Sequence, residues 1–186
     1  MLSNWISRSR DRSGQALVEF TFVAVILLAM LFGMIDFCRA ISTRQVLINL
    51  SREGANMAAR GPGDIADSMS SAVQAVIAAA SPLDINANGR VIVTAVINSN
   101  GVFRITNQIS GGGLQTAATK SQIGAVNDTG NAVKLPNTPS TPGVIPQLNQ
   151  TLFATEVFYA FKPTTPIGQL INISMTNAPL YDVAYF

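Results

Sequence analysis

The sequence contains no histidine and only one cysteine, Cys38. Histidine-based catalysis, cysteine–histidine pairs and the ordinary kinds of zinc site are therefore excluded. A single cysteine cannot form a disulfide within the chain. We expect Cys38 to be a small buried residue, with a disulfide between chains as the alternative. Because carboxylates do not cluster and no motif marks a catalytic serine or lysine, the sequence predicts a protein that is not an enzyme and binds no metal or cofactor.

Outside residues 1–14, the chain has no excess of positive or negative side chains. Of the 12 basic and 10 acidic side chains, three arginines and one aspartate lie in residues 1–14, so the remaining residues carry nine of each sign. The net charge of +2 therefore comes from this short segment. Without a basic patch elsewhere, the sequence does not predict nucleic-acid binding.

Proline is absent from the whole stretch between Gln15 and Arg60. It begins with an apolar run, Ala16–Ile35, in which Glu19 is the one charged residue. Because about 20 apolar residues suffice to cross a bilayer as a helix, we predict a transmembrane segment at residues 15–36. A helix that continues to Arg60 would be roughly 69 Å long at about 1.5 Å per residue. A secretory signal peptide is the alternative, but the run is too long and no small-residue cleavage site follows it promptly.

The residues before this run form a short basic leader, residues 1–14. It contains three closely spaced arginines: Arg8, Arg10 and Arg12. Gly14 and the sequence QALVEF follow, and this order resembles the processing site of type IV pilin-like proteins. The resemblance implies that a prepilin peptidase cuts after Gly14 and that Gln15 becomes the new N-terminus. Glu19 would then be fifth in the mature chain, beside the aromatic Phe20. We expect an extended leader that meets the helix at Gly14.

Two further stretches resemble TadE-like pseudopilins, which are minor components of the tight-adherence (Tad or Flp) pilus system. They are Ile35–Arg39 (IDFCR) and Ser51–Ala55 (SREGA). With the processing site, the resemblance covers Arg12–Arg60, about a quarter of the chain. It implies a structural minor pilin or pseudopilin of a Tad pilus assembly or secretion apparatus.

The partners implied by the resemblance are the membrane, a prepilin peptidase, other pilins or pseudopilins, and pilus assembly proteins. No nucleic acid and no small-molecule substrate is expected. The basic leader favours a cytoplasmic N-terminus, which predicts a single pass through a bacterial inner membrane with residues 37–186 in the periplasm. The alternative is a single-pass, membrane-anchored periplasmic protein that binds a ligand or partner, with Gly14 and Glu19 coincidental.

Glu19 has two interpretations. A lone carboxylate in a membrane segment costs about 2.5–3.5 kcal/mol on insertion scales, and a position near the helix end reduces this cost because the side chain can reach the interface. The resemblance implies instead that Glu19 neutralises the new α-amino group of Gln15 on a neighbouring subunit. The two interpretations differ in whether Glu19 is needed for assembly.

For residues 37–186 the sequence predicts an α+β domain with a small, mostly antiparallel sheet. The first helix should continue into an amphipathic half that ends at the Gly-Pro-Gly sequence starting at Gly61. The apolar face of this half is predicted at five positions: Phe37, Ile41, Ile48, Ala55 and Ala59. A second helix is predicted over Asp64–Ala80, with Asp64 as its N-cap.

The strands are predicted from β-branched and aromatic runs between turn sequences. A hairpin and three later strands are expected: Val91–Ile97 with Val102–Ile109, then Leu152–Phe161, Leu170–Met175 and Leu180–Phe186. The DINANG sequence at Asp84–Gly89 matches half of a calcium loop, but Ala95 occupies the twelfth position, so we favour an Asn–Gly turn that enters a strand. Residues 110–150 are rich in Gly, Asn, Thr, Ser and Pro, and we expect a flexible loop with at most one short strand.

Overall fold

The computed structural model describes residues 3–135, 146–170 and 178–186. Within these residues the chain forms two compact units. The first contains residues 3–39 and 163–170, and the second contains residues 40–135, 146–162 and 178–186. The architecture is α+β, as predicted: a long apolar N-terminal helix, a second helix and a four-stranded antiparallel sheet.

The N-terminal helix, α1, runs from Ser3 to Arg60 over 58 residues. The expectation of an extended leader is therefore wrong, because residues 3–13 contain neither proline nor glycine and the helix extends through them. Gly14 lies inside α1. The predicted end is confirmed: Pro62 disfavours helical backbone at Gly61 and cannot donate a backbone hydrogen bond. From Leu17 to Ile35 the large apolar side chains are mostly exposed.

The second unit is built on a sheet with the strand order β2-β1-β3-β4, all neighbours antiparallel. Its strands are β1 (Gly89–Ser99), β2 (Val102–Gly111), β3 (Thr151–Tyr159) and β4 (Leu180–Tyr185). The predicted hairpin is confirmed as β1 and β2. Asn100 and Gly101 connect them with positive φ angles of 53° and 82°, which is the two-residue turn that suits the twist of a hairpin.

Helices cover one face of this sheet. The helix α2 spans Ile65–Ala79, and Asp64 caps it as predicted by accepting a hydrogen bond from the Ile65 N–H at 2.8 Å. The main core combines buried residues of α1, α2, β1 and β3, among them Leu47, Met69, Val91, Val93 and Val157. Residues 112–135 lie on the opposite face, where Ile123 and Val133 pack with Val96, Ile105 and Ala154.

The predicted apolar face of α1 is only partly correct. Ala55 is buried, but Phe37 and Ile41 are exposed. The buried positions instead follow a helical spacing that includes two polar residues, at Thr43, Leu47, Leu50, Ser51, Gly54, Ala55 and Ala58. The expectation that Cys38 is buried is wrong as well: it is exposed, because it lies about 200° around the helix from the buried Asp36.

Two local predictions need correction. The predicted Asn–Gly turn at Asp84–Gly89 is a short helix, α3 (Ile85–Asn88), which Asp84 caps through the Ala87 N–H at 3.0 Å; the strand entry at Gly89 is correct. Leu170, expected to begin a strand, ends the short helix α4 (Pro166–Leu170), and the rest of that predicted strand lies outside the described residues.

Beyond Gly111, where β2 ends, the described part of the 110–150 segment contains no strand. It forms two 3-10 turns, Ala117–Thr119 and Gly130–Ala132, and one bridge between Arg104 and Thr129. Its flexibility stays a prediction. The later strands at Leu152–Phe161 and Leu180–Phe186 are confirmed as β3 and β4, and β3 is buried on both faces.

Candidate functional site

The four predicted site residues lie together on one exposed stretch of α1. Gly14, Gln15, Glu19 and Phe20 are all exposed, with Phe20 71% exposed. Gln15 and Glu19 are one helical turn apart, about 6 Å along the axis. Among the described residues, no hydrogen bond or ion pair engages the Glu19 carboxylate. The fold therefore leaves this carboxylate available to another molecule.

Among the described residues, nothing requires a glycine at position 14. Gly14 lies in the interior of α1, and a Cβ atom built there would meet nothing within 4 Å; the same is true of Gly33. A glycine inside a helix costs roughly 0.5–1 kcal/mol relative to alanine. In the part of the chain that the structure describes, no close approach compensates for this cost at either glycine.

The IDFCR motif forms a polar contact at the end of the apolar run, within the first unit. Asp36 is only 9% exposed. Its Oδ1 atom accepts hydrogen bonds from the Thr164 N–H at 3.0 Å and the Thr165 N–H at 3.3 Å, and its Oδ2 atom accepts one from the Thr165 hydroxyl. Arg39 donates to the Thr164 hydroxyl. We call these four residues the Asp36 clasp.

The Asp36 clasp was not predicted from the sequence. Its local signal is an acid and an arginine three residues apart, directly after an apolar run, which places both on one helix face. The partners, Thr164 and Thr165, are more than 120 residues away in the chain. No periodicity connects segments so far apart.

The SREGA motif divides between the inside and the outside of the second unit. Ser51 is fully buried, and its Oγ atom lies 2.5 Å from Asp182 Oδ2 on β4. A Cβ atom at Gly54 would lie 2.8 Å from Thr155 Cγ2 on β3 and 2.9 Å from Val76 Cγ2 on α2. Gly54 is therefore required for the close packing of α1.

The charged residues of the same motif point away from this packing. Arg52 and Glu53 are exposed, and they line an open groove together with Tyr185 and Phe186. The motif thus combines small residues that seat the helix with a charged pair that remains accessible.

Comparison with known protein families gives a match within α1. Residues 14–56 match the family model of TadE-like proteins. This segment is TadE-like. No curated protein and no solved structure matches the chain. The match begins at Gly14, the residue predicted to precede the cut, and includes both the IDFCR and the SREGA motifs.

The match to TadE-like proteins covers 43 of the 186 residues. The match indicates a component associated with the Tad pilus machinery at a membrane. In agreement, the helical stretch Gly14–Arg60 is long and apolar enough to cross a membrane. Residues 57–186 lie beyond the match, so the family says nothing about how the sheet is used.

Outside the TadE-like segment, the most unusual polar group is Glu156 on β3. Its carboxylate is fully buried, and it accepts hydrogen bonds from the Ser121 hydroxyl (2.5 Å), the Gln122 N–H (2.8 Å) and the Tyr181 hydroxyl (3.0 Å). Burial raises the pKa of Glu156 above its ordinary value, and these hydrogen bonds oppose the rise. Ser121 and Gln122 belong to the loop that covers this face of the sheet, so their hydrogen bonds to the carboxylate hold this loop in place.

Two half-buried tyrosines of β4 lie near the Glu156 carboxylate. Burial raises the pKa of Tyr185 to about 12, with the nearby Glu156 charge as the second cause. The pKa of Tyr181 is raised by the same two causes. Both therefore stay protonated and neutral at physiological pH. Within the described residues, no group of three or more Cys, Asp or Glu side chains could hold a metal ion.

Proposed function

We propose that this chain is a non-catalytic, pseudopilin-like structural component of a Tad pilus assembly or secretion apparatus, processed by a prepilin peptidase after Gly14. The observation that carries the proposal is the pair formed by Gly14 and Glu19. Gly14 is a helix glycine that no described residue approaches at its Cβ position, and Glu19 is an exposed carboxylate at the fifth position after it. The TadE-like match begins at the same glycine.

A role in processing explains Gly14 in physical terms. The bond between Gly14 and Gln15 lies inside α1, and a helix must unwind locally before a peptidase can reach a backbone bond. A glycine lowers the cost of unwinding by about 1 kcal/mol relative to alanine. It also leaves room for the peptidase beside the scissile bond.

A role in assembly explains Glu19. Cleavage creates an α-ammonium group on Gln15, which is costly to bury among the apolar side chains of a packed fibre. A carboxylate from a neighbouring subunit would neutralise it. Because no described residue bonds the Glu19 carboxylate, no contact within the described part of the chain has to be broken for this pairing.

We also propose an orientation of the chain in the membrane. The arginines of the leader favour a cytoplasmic N-terminus, which would place the second unit in the periplasm. Arg39 and Arg44 follow the apolar run and weaken this bias. Loss of the leader on maturation would leave the apolar helix as the anchor.

The mass of the mature protein tests the proposal. We expect intact-mass measurement of membrane-purified protein to show loss of residues 1–14, and Gly14→Val to retain them. Gly33→Val is the matched control, because Gly33 also lies in α1 with no neighbour near its Cβ position; it should be processed normally. Wild-type protein that keeps Met1 would refute processing and would favour the membrane-anchored binding protein.

A further inference from the structure

We propose that the segment of residues 163–170, which includes α4, is a membrane-contacting element that lies in the lipid headgroup region beside the end of the transmembrane helix. The proposed partner is the lipid surface. This inference requires α1 to cross the membrane, but it does not depend on processing or on a role in a pilus.

Hydrogen bonds attach the segment to α1. Asp36 binds it through the two backbone N–H groups and the hydroxyl group of the Asp36 clasp, and Arg39 adds a fourth hydrogen bond. A Cβ atom at Gly168 would collide with the Asp36 carboxylate and with the Pro163 ring. The segment is therefore held directly against one residue of the helix.

The position of Asp36 along α1 sets the depth of the segment in the membrane. Asp36 directly follows Ile35, the last residue of the apolar run, whose large side chains are mostly exposed in the first unit. The 20 residues of Ala16–Ile35 rise about 30 Å, which is the thickness of the hydrocarbon core of a bilayer. Asp36 would then lie at the edge of this core, and any segment bonded to it would lie at headgroup level.

The composition of the segment suits the lipid headgroup region. Its sequence, PTTPIGQL, contains no charged residue. Thr164 and Gln169 are exposed, and uncharged polar side chains of this kind suit the polar headgroup layer. Composition and position therefore agree on lipid as the partner.

Depth-dependent fluorescence quenching tests this placement. The full-length chain, with Cys38→Ser, would carry a bimane label at Gln169→Cys, an exposed position, in phosphatidylcholine vesicles. The vesicles would contain a nitroxide on either the headgroup or the middle of the acyl chain. Label at Ile26→Cys serves as the deep reference, and a bimane–glutathione adduct serves as the aqueous reference.

Quenching at position 169 should be at least about two-fold stronger with the headgroup nitroxide than with the acyl nitroxide, because interfacial segments lie roughly 5–10 Å into the boundary. The order should be reversed at position 26. Asp36→Ala should lower quenching at position 169 towards the aqueous reference. Asp36→Asn, which keeps an acceptor oxygen for the two N–H groups, should preserve most of it.

Two results would overturn the proposal. Quenching at position 169 that equals the aqueous reference would place the segment in water. Quenching that is unchanged in Asp36→Ala would show that the Asp36 clasp does not hold the segment at the membrane. Thr165→Val, which removes one hydroxyl at constant volume, gives a second and milder test of the clasp and should lower quenching partially.

Discussion

Replacing Glu156 by glutamine tests whether burial or hydrogen bonding dominates the polar network on the sheet. The Glu156 carboxylate is fully buried, and its pKa is raised above the ordinary value of 4.5, with loss of hydration as the largest cause. A group whose pKa is higher in the folded than in the unfolded chain contributes stability that is complete below the unfolded pKa. This stability is lost as the pH rises through the folded pKa.

The size of the effect follows from proton linkage. Between the two pKa values, Glu156 should reduce the free energy of unfolding by up to about 1.4 kcal/mol per pH unit. Glutamine keeps the size and the hydrogen-bonding oxygen but cannot ionise, so Glu156→Gln should remove this pH dependence and exceed the wild type above the folded pKa. Glu156→Ala should lose about 2–5 kcal/mol at every pH, because it opens a cavity and leaves the Gln122 N–H unpaired.

Thermal unfolding of the full chain in detergent micelles, followed by circular dichroism from about pH 4 to pH 8, would measure these differences. Glu53→Gln is the control, since Glu53 is an exposed acid of the same unit, and its pH profile should follow the wild type. A wild type that gains stability relative to Glu156→Gln as the pH rises would refute the reasoning. That outcome would mean that hydrogen bonds to the charged carboxylate outweigh its burial.

Three further predictions concern the TadE-like segment and the topology. Glu19→Gln should mature normally but fail to co-purify with pilus components, because an unpaired Gln15 ammonium in an apolar interface costs about 3–5 kcal/mol; normal assembly would make Glu19 a merely tolerated carboxylate. Gly54→Val should lower the thermal midpoint through overpacking worth about 1–3 kcal/mol, whereas a midpoint equal to the wild type would show that α1 can move away from β3. Val126→Cys in a Cys38→Ser background should react with a membrane-impermeant maleimide added from the periplasmic side, and labelling only from the cytoplasmic side would reverse the topology.

The elements that the sequence predicted correctly depend on neighbours in the chain. The N-cap at Asp64 and the Asn100–Gly101 turn each need only a few adjacent residues to be recognised. The hypothesis about Gly14 and Glu19 also depends on one short pattern, their spacing and the flanking charges, and it stays a prediction. Local chemistry of this kind can be read without knowledge of the fold.

The polar contacts of the interior could not be predicted because each joins distant segments. Ser51 on α1 is buried because Asp182 on the last strand provides its partner. Glu156 on β3 is buried for a similar reason, since Ser121 and Gln122 bond its carboxylate. A buried polar residue is intelligible only once its partner is known.

The position of β3 between β1 and β4 has a consequence for synthesis. The β1–β2 hairpin can close as soon as it is made, but β1 pairs along its other side with Thr151–Tyr159, about 60 residues further along the chain. At about 5–20 residues per second, this side of β1 stays unpaired for roughly 3–12 s. An open edge of apolar strand is a template for pairing with another chain, so the nascent protein is most exposed to aggregation in the interval before β3 arrives.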